Sequence, residues 1–160
     1  MIVLGVDPGL KATGYGVLKW DKAKLGLLEV GAIEPKPRDL IENRILNIHQ
    51  NLNDVIQQYH PEVMILEKLY SHHKHPTTAA ILGHVRGVIC LLCAQHKIKL
   101  VEQSVKRIRQ SLTGNGNASK SQTQQVVAHI LKIDAQKLTL DASDALALAL
   151  GYINILKCKL

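Results

Sequence analysis

Four acidic residues in this chain stand where charge is out of place. Asp7 ends the apolar run "MIVLGV", and Glu67 ends "VMIL". Asp141 and Asp144 open the stretch "LDASDALALAL", where only small or apolar residues surround them. Carboxylates at the ends of buried elements repel one another and are costly to desolvate. A divalent cation relieves both penalties. An oxygen-only donor set selects hard cations such as magnesium or manganese. Two such ions roughly 3.5–4 Å apart can activate water and stabilise the leaving oxygen in phosphodiester cleavage. A plainer reading exists for each pair. Asp141 can be a helix N-cap and Asp144 can favour the helix dipole. Taken alone, either pair is equally well explained that way; four acids in the same kind of position are harder to dismiss.

The elements that would position these acids follow from the apolar periodicity. Residues 1–6 read as a buried strand, and "GYGVLK" (14–19) and "LGLLEVGAI" (25–33) as two more. Short connections between the three predict an antiparallel meander. Apolar residues between Leu40 and Tyr59 recur at three- and four-residue spacing and predict a helix. "EVMILE" reads as a fourth strand ending in Glu67, residues 77–96 as an apolar helix, and "KIKLVE" as a fifth strand. "SVKRIRQSL" is a short basic helix or extended segment. A helix follows Ser119, a natural N-cap, and a last helix runs from about Asp141 to Leu156. The order implies an α/β fold with a five-stranded mixed sheet covered by helices. If the first and fourth strands are neighbours, Asp7 and Glu67 emerge together. Gly14 and Gly16 would keep the adjacent strand slim beside them.

At 160 residues the chain suits one domain, 1–160, with a full core. Phe is absent, so that core rests on Leu, Ile, Val and Ala. Twenty Lys and Arg against 13 Asp and Glu give a net charge of +7, which favours a polyanionic partner. No run reaches the roughly 18 consecutive apolar residues of a membrane span, and the N-terminus does not read as a secretion signal. The three cysteines make no disulfide framework, and a reducing cytoplasm is the simplest setting.

Other candidates carry less. "YSHHKHP" follows Glu67 and would border the site; Tyr70 could stack on bases and Lys74 contact phosphates, although a solvated loop with incidental His72, His73 and His75 explains it as well. "GNGNASKS" nearly fits a phosphate loop but lacks a preceding strand and an acidic partner, which argues against an NTPase. A glycine-rich turn into a helix N-terminus, with Lys120 beside it, can still face phosphate. Cys90 and Cys93 lie in the apolar "GVICLLCA" and read as small core residues. The chain is too short for an actin-like kinase, which "DPGLKATGYG" would otherwise suggest.

With the four acids in hand, the chain resembles the bacterial Holliday junction resolvases of the RuvC family over essentially its whole length. The motifs are "GVDPGLKATGYGV", "ILEKLY", "LGHVRG", "TGNGNASKSQ" and "DASDALALAL", in that order. The resemblance implies an RNase H-like fold and a homodimer that nicks two like-polarity strands of four-way junction DNA. It implies that Asp7, Glu67, Asp141 and Asp144 are catalytic and bind Mg2+, two ions per site, with Mn2+ able to substitute. Asp7 would bridge the ions, Glu67 hold one, and Asp144 with Asp141 hold the other. Tyr70 matches a base-stacking aromatic position and Lys120 a basic residue near the scissile phosphate. Arg109 falls where a lysine is usual. The branch-migration proteins RuvA and RuvB are expected partners by the same resemblance. Two competing functions remain: a related nuclease acting on RNA–DNA hybrids or other branched substrates, and a basic junction-binding module whose acids are structural.

Overall fold

A computed structural model describes residues 1–21, 24–68 and 76–158. Five strands, β1 (Ile2–Asp7), β2 (Thr13–Asp21), β3 (Lys24–Ile33), β4 (Val63–Glu67) and β5 (Lys99–Gln103), form one mixed sheet in the order β3-β2-β1-β4-β5. β1, β2 and β3 are the predicted antiparallel meander. β4 pairs in parallel with both β1 and β5. The helices are α1 (Ile41–Tyr59), α2 (Pro76–Gln95), α3 (Val105–Thr113), α4 (Lys120–Leu131) and α5 (Leu140–Lys157). The basic "SVKRIRQSL" is helical, capped by the Ser104 side chain, which accepts from the Arg107 amide. A short 3-10 turn over Ala135–Lys137 was not foreseen from sequence.

The period-two alternation of the strands divides the interior into two cores. Leu4, Val6, Met64 and Leu66 face α1 and α2, packing on Ile48, Leu52, Val85 and Ile89. Val3, Val63 and Ile65 face the opposite way, onto Leu146, Leu150 and Ile153 of α5 and Ile108 of α3. The sheet is therefore the middle of three layers, with β1 in the third of its five positions. Odd-numbered positions of β1 and β4 look toward α5.

The seat of α5 is made of glycines. Gly5 and Gly16 are directly paired across β1 and β2, and Gly14 pairs with Asp7. A Cβ on Gly5 would collide with the Ala145 carbonyl, and one on Gly14 with the Asp141 carbonyl. Gly16 faces the Leu146 side chain in the same way. The expected role of Gly14 and Gly16 holds, and Gly5 joins them. Opposite these glycines α5 presents small residues, Ala142, Ala145 and Ala149, all buried. Helix backbone and sheet backbone thus meet almost without intervening side chains.

Helix α2 is apolar but only half covered. Val85, Ile89, Leu92 and Cys93 are buried in the sheet core, whereas Ala80, Gly83, Gly87, Cys90, Leu91 and Ala94 are exposed. Cys90 is thus a surface thiol, not the core residue expected from "GVICLLCA". It directly follows buried Ile89, about 100° round the helix, and so falls on the exposed stripe. Residues Thr77–Gln95 are apolar and long enough to cross a membrane by composition alone. Four of the helix's residues enter the sheet core, and His84 and Arg86 interrupt it mid-length.

Candidate active site

Strand parity brings the first two acids together. The β1–β4 register pairs Val6 with Leu66, so Asp7 and Glu67 follow side by side at the same edge. Both occupy odd positions, so both face the α5 side of the sheet. Immediately after Asp7 the chain turns sharply. Buried Thr13 clamps that turn: its hydroxyl donates to the Gly9 carbonyl at 2.7 Å and accepts from the Gly9 amide at 3.3 Å. Nothing in the sequence marked Thr13 for this role.

The other two acids come with α5. The helix is capped by Thr139, whose hydroxyl accepts from the Ala142 amide at 3.2 Å. Asp141 is therefore in the first turn and is not the cap. Every residue from Ala142 to Ile153 is buried except Asp144. The glycine seat sets the first turn of α5 against Gly14, the cross-strand partner of Asp7. That contact carries Asp144 to the strand edge where Asp7 and Glu67 lie.

Asp7, Glu67 and Asp144 line one cleft of about 80 Å³, together with Arg109 of α3, Lys120 and Thr123 of α4, and apolar Val105, Ile108, Ala147 and Leu148. Asp141 faces an adjoining, larger cleft bounded by Pro8–Ala12, Arg44 and the start of α2. The Lys120 ammonium donates to the Asp144 carboxylate at 2.6 Å. Lys120 opens α4 directly after Ser119, the predicted N-cap, which forms a reciprocal capping box with Gln122. The glycine-rich loop ahead of it is fixed by Gln110, which accepts from the Gly116 amide and donates to the Gly114 carbonyl. Tyr70, Lys74, His72, His73 and His75 lie outside the described residues.

Charge is poorly compensated here. Burial, then the carboxylates of Asp144, Glu67 and Asp141, push the Asp7 carboxyl up to about 7, against a partial counter-effect from Lys120. Glu67 is raised by burial and by Asp144, and is opposed by Lys120, Arg109 and Arg86. Lys120 is raised chiefly by its hydrogen bond to Asp144. Among the described residues, no group of three or more His, Cys, Asp or Glu side chains is gathered tightly enough to hold a metal ion. The donor chemistry does fit one: three carboxylates lining one cleft, oxygen ligands only, and a central carboxyl pushed up by burial and then by its anionic neighbours. Such a site favours a hard cation and an anionic substrate beside Lys120 and Arg109.

The chain is similar to known proteins in both sequence and fold. The family described as crossover junction endodeoxyribonuclease RuvC matches residues 3–152. A protein of that name from Rhodopirellula baltica is 38% identical over 148 residues, spanning 92% of this chain and 83% of that one. One from Chloroherpeton thalassium is 41% identical over 150 residues, spanning 94% and 80%. Among solved structures, Thermus thermophilus RuvC in complex with Holliday junction substrate aligns with a TM-score of 0.90 at 24% identity, covering 99% of this chain and 96% of that one. The yeast mitochondrial Holliday junction resolvase Ydc2 aligns with a TM-score of 0.70 at 14% identity, covering 95% and 77%. The fold is RNase H-like, as the motifs implied. With matches of this extent in both sequence and fold, the chain belongs to the RuvC family of crossover junction endodeoxyribonucleases.

Proposed function

We propose that this chain is a structure-selective endonuclease that resolves Holliday junctions by paired symmetric nicks, through magnesium-dependent phosphodiester hydrolysis, in homologous recombination and DNA repair. The observation that carries the reading is the convergence of Asp7, Glu67 and Asp144 on one cleft beside Lys120 and Arg109. Residues 1–160 act as a single nuclease domain. Asp7, Glu67 and Asp144 would hold two Mg2+ ions, or Mn2+ in their place, with Asp141 contributing from the adjoining cleft. When bound, such ions activate water and stabilise the departing 3′ oxygen. The chain's own groups do the rest. Lys120 moves from Asp144 to the scissile phosphate and offsets its growing charge. Arg109 holds the flanking backbone, Tyr70 stacks on a junction base and Lys74 contacts phosphate.

The protein acts as a homodimer, because paired nicks need two sites. The exposed stripe of α2 supports this. Gly83 and Gly87 lie on it four residues apart, and a Cβ on either would meet nothing within 4 Å among the described residues. Each glycine weakens a helix interior by about 1 kcal/mol relative to alanine. Small residues beside Leu91 suit close approach of a second copy of the same helix. The setting is the cytoplasm, with RuvA and RuvB delivering the junction. The test is a mobile synthetic four-way junction incubated with Mg2+ and either wild type or Asp7→Asn. Symmetric nicks by wild type, and binding without nicks by the variant, are expected. Equal cleavage by both would overturn the carboxylate assignment. Preference for an RNA–DNA hybrid would point instead to a related nuclease.

A further inference from the structure

The acids are presented from the α5 side of the sheet, but the end of β4 is also gripped from the opposite side. Arg86 lies on α2, with a side chain only 11% exposed. Its Nη1 donates to the backbone carbonyl of Glu67 at 2.8 Å. Its Nη2 forms an ion pair with the Glu102 carboxylate on β5. Glu102 is paired with Leu66, the residue before Glu67. A single guanidinium thus ties α2, β4 and β5 together at the point where β4 delivers its carboxylate.

That point needs a tie. The register of β4 with β1 ends at Leu66, so among the described residues Glu67 is paired only with Gln103 of β5. The next backbone bond, from the Lys68 amide to the Gln103 carbonyl at 2.8 Å, is the last on that side before the chain leaves the described strand. A strand end held by one neighbour frays readily, and fraying there would swing the Glu67 carboxylate away from Asp7. A planar fork with two fixed donors suits the task better than a flexible ammonium.

We propose that Arg86 is a positioning residue for catalysis: through its hydrogen bond to the Glu67 carbonyl and its ion pair with Glu102, it fixes the end of β4 and so aims the Glu67 carboxylate into the cleft. This rests on the assignment of Glu67 as a catalytic acid. Arg86 faces away from the cleft side of the sheet and makes its contacts to backbone and to Glu102, so junction affinity does not depend on it.

The experiment compares wild type, Arg86→Gln, Arg86→Lys and Glu67→Gln on a synthetic four-way junction with Mg2+. Junction affinity, single-turnover cleavage at saturating protein, and amide exchange at Lys68 are measured for each. Arg86→Gln should lower the cleavage rate about 10–100-fold, the range that follows a misplacement of about 1 Å. Its junction affinity should stay within about twofold, and exchange at Lys68 should quicken while that of α5 is unchanged. Arg86→Lys keeps the charge and one donor. It should fall between the two, and serves as the deciding variant if Arg86→Gln does not fold. Wild-type cleavage by the Arg86 variants, with Glu67→Gln inactive, would overturn the proposal and leave the catalytic assignment standing. A parallel fall of cleavage and affinity would also overturn it, since that is the signature of general loss of structure. Full activity of Glu67→Gln would overturn both the assignment and the proposal.

Discussion

Helices α2 and α5 are close in length, 20 and 18 residues, and both are built mainly of Leu, Ile, Val, Ala and Gly. Their settings differ. In α5 all residues from Ala142 to Ile153 are buried except Asp144, because the helix lies on the sheet and is overlaid by α3 and α4. Ser111 of α3 even donates to the Gly151 carbonyl at 3.2 Å. In α2 one stripe enters the core and the other meets solvent, with Leu91 at 52% exposure. The glycines differ in the same way. Beneath α5, Gly5 and Gly14 are filled by helix backbone and Gly16 by the Leu146 side chain, whereas no described residue approaches Gly83 or Gly87 of α2. Equal hydropathy therefore hides two uses. One helix is apolar because it is enclosed, and Asp144, the one residue from Ala142 to Ile153 that is not buried, stands out. The other is apolar on a face that none of the described residues covers.

The largest expected effect falls on chemistry. Asp144→Asn should reduce junction cleavage by about 10²–10³-fold or more, with binding retained in a gel-shift assay. Gly87→Ala on the open stripe of α2 should leave the rate of a single nick within about twofold. If the two variants slowed cleavage equally, the division of labour between the helices would be lost.

Stability should separate the helices next. Leu146→Ala empties a fully buried site and should cost about 2–5 kcal/mol in urea unfolding. Leu91→Ala should change the stability of the isolated chain by no more than about 0.5 kcal/mol. A large protein-concentration dependence of the Leu91→Ala effect would sharpen the contrast, since it would place Leu91 in contact with a second copy.

Assembly gives a third measure. Leu91→Glu sets a charge on the exposed stripe and should yield folded monomer by light scattering at micromolar concentration. Nicking of the two junction strands should then lose its pairing. A dimer that persists with Glu at this position would move the interface off α2.

The smallest effect concerns the acids without metal. The folded pKa of Asp7 is raised from 3.8 to about 7, so between those values the folded state keeps a proton that the unfolded state has released. Stability contributed by this group therefore declines as pH rises from about 4 to 7, and stays lost above. Asp7→Asn removes that loss. At pH 8 the metal-free variant should be more stable than wild type by about 1–2 kcal/mol after allowance for solvent access, a few degrees in melting temperature. The difference should vanish near pH 4 and shrink when Mg2+ is added to wild type.

The acids were legible because each interrupts an apolar run, and interruption is visible without a structure. Their convergence was legible only conditionally: it required β1 beside β4, which the residues alone left open. The turn clamp of Thr13 was invisible because a threonine in a loop has many ordinary uses. Gly5 could have been suspected, since a glycine inside a strand often marks close approach. The stripe on α2 was not legible because hydropathy reports how apolar a residue is, and burial depends on what lies above it. The same limit misplaced Cys90. Arg86 was quoted in "LGHVRG" only as part of a motif; its work depends on a backbone carbonyl 19 residues away.

The glycine seat has a consequence for synthesis. Asp7 and Glu67 leave the ribosome early, but Asp141 and Asp144 arrive with the last of the described helices, and the cleft closes only when α5 settles on Gly5, Gly14 and Gly16. A growing chain can form its meander and its first helices without carrying the full set of acids. On the carboxylate assignment, cleavage would have to wait until Asp141 and Asp144 have been made, and a product truncated before residue 141 would lack both acids of the pair.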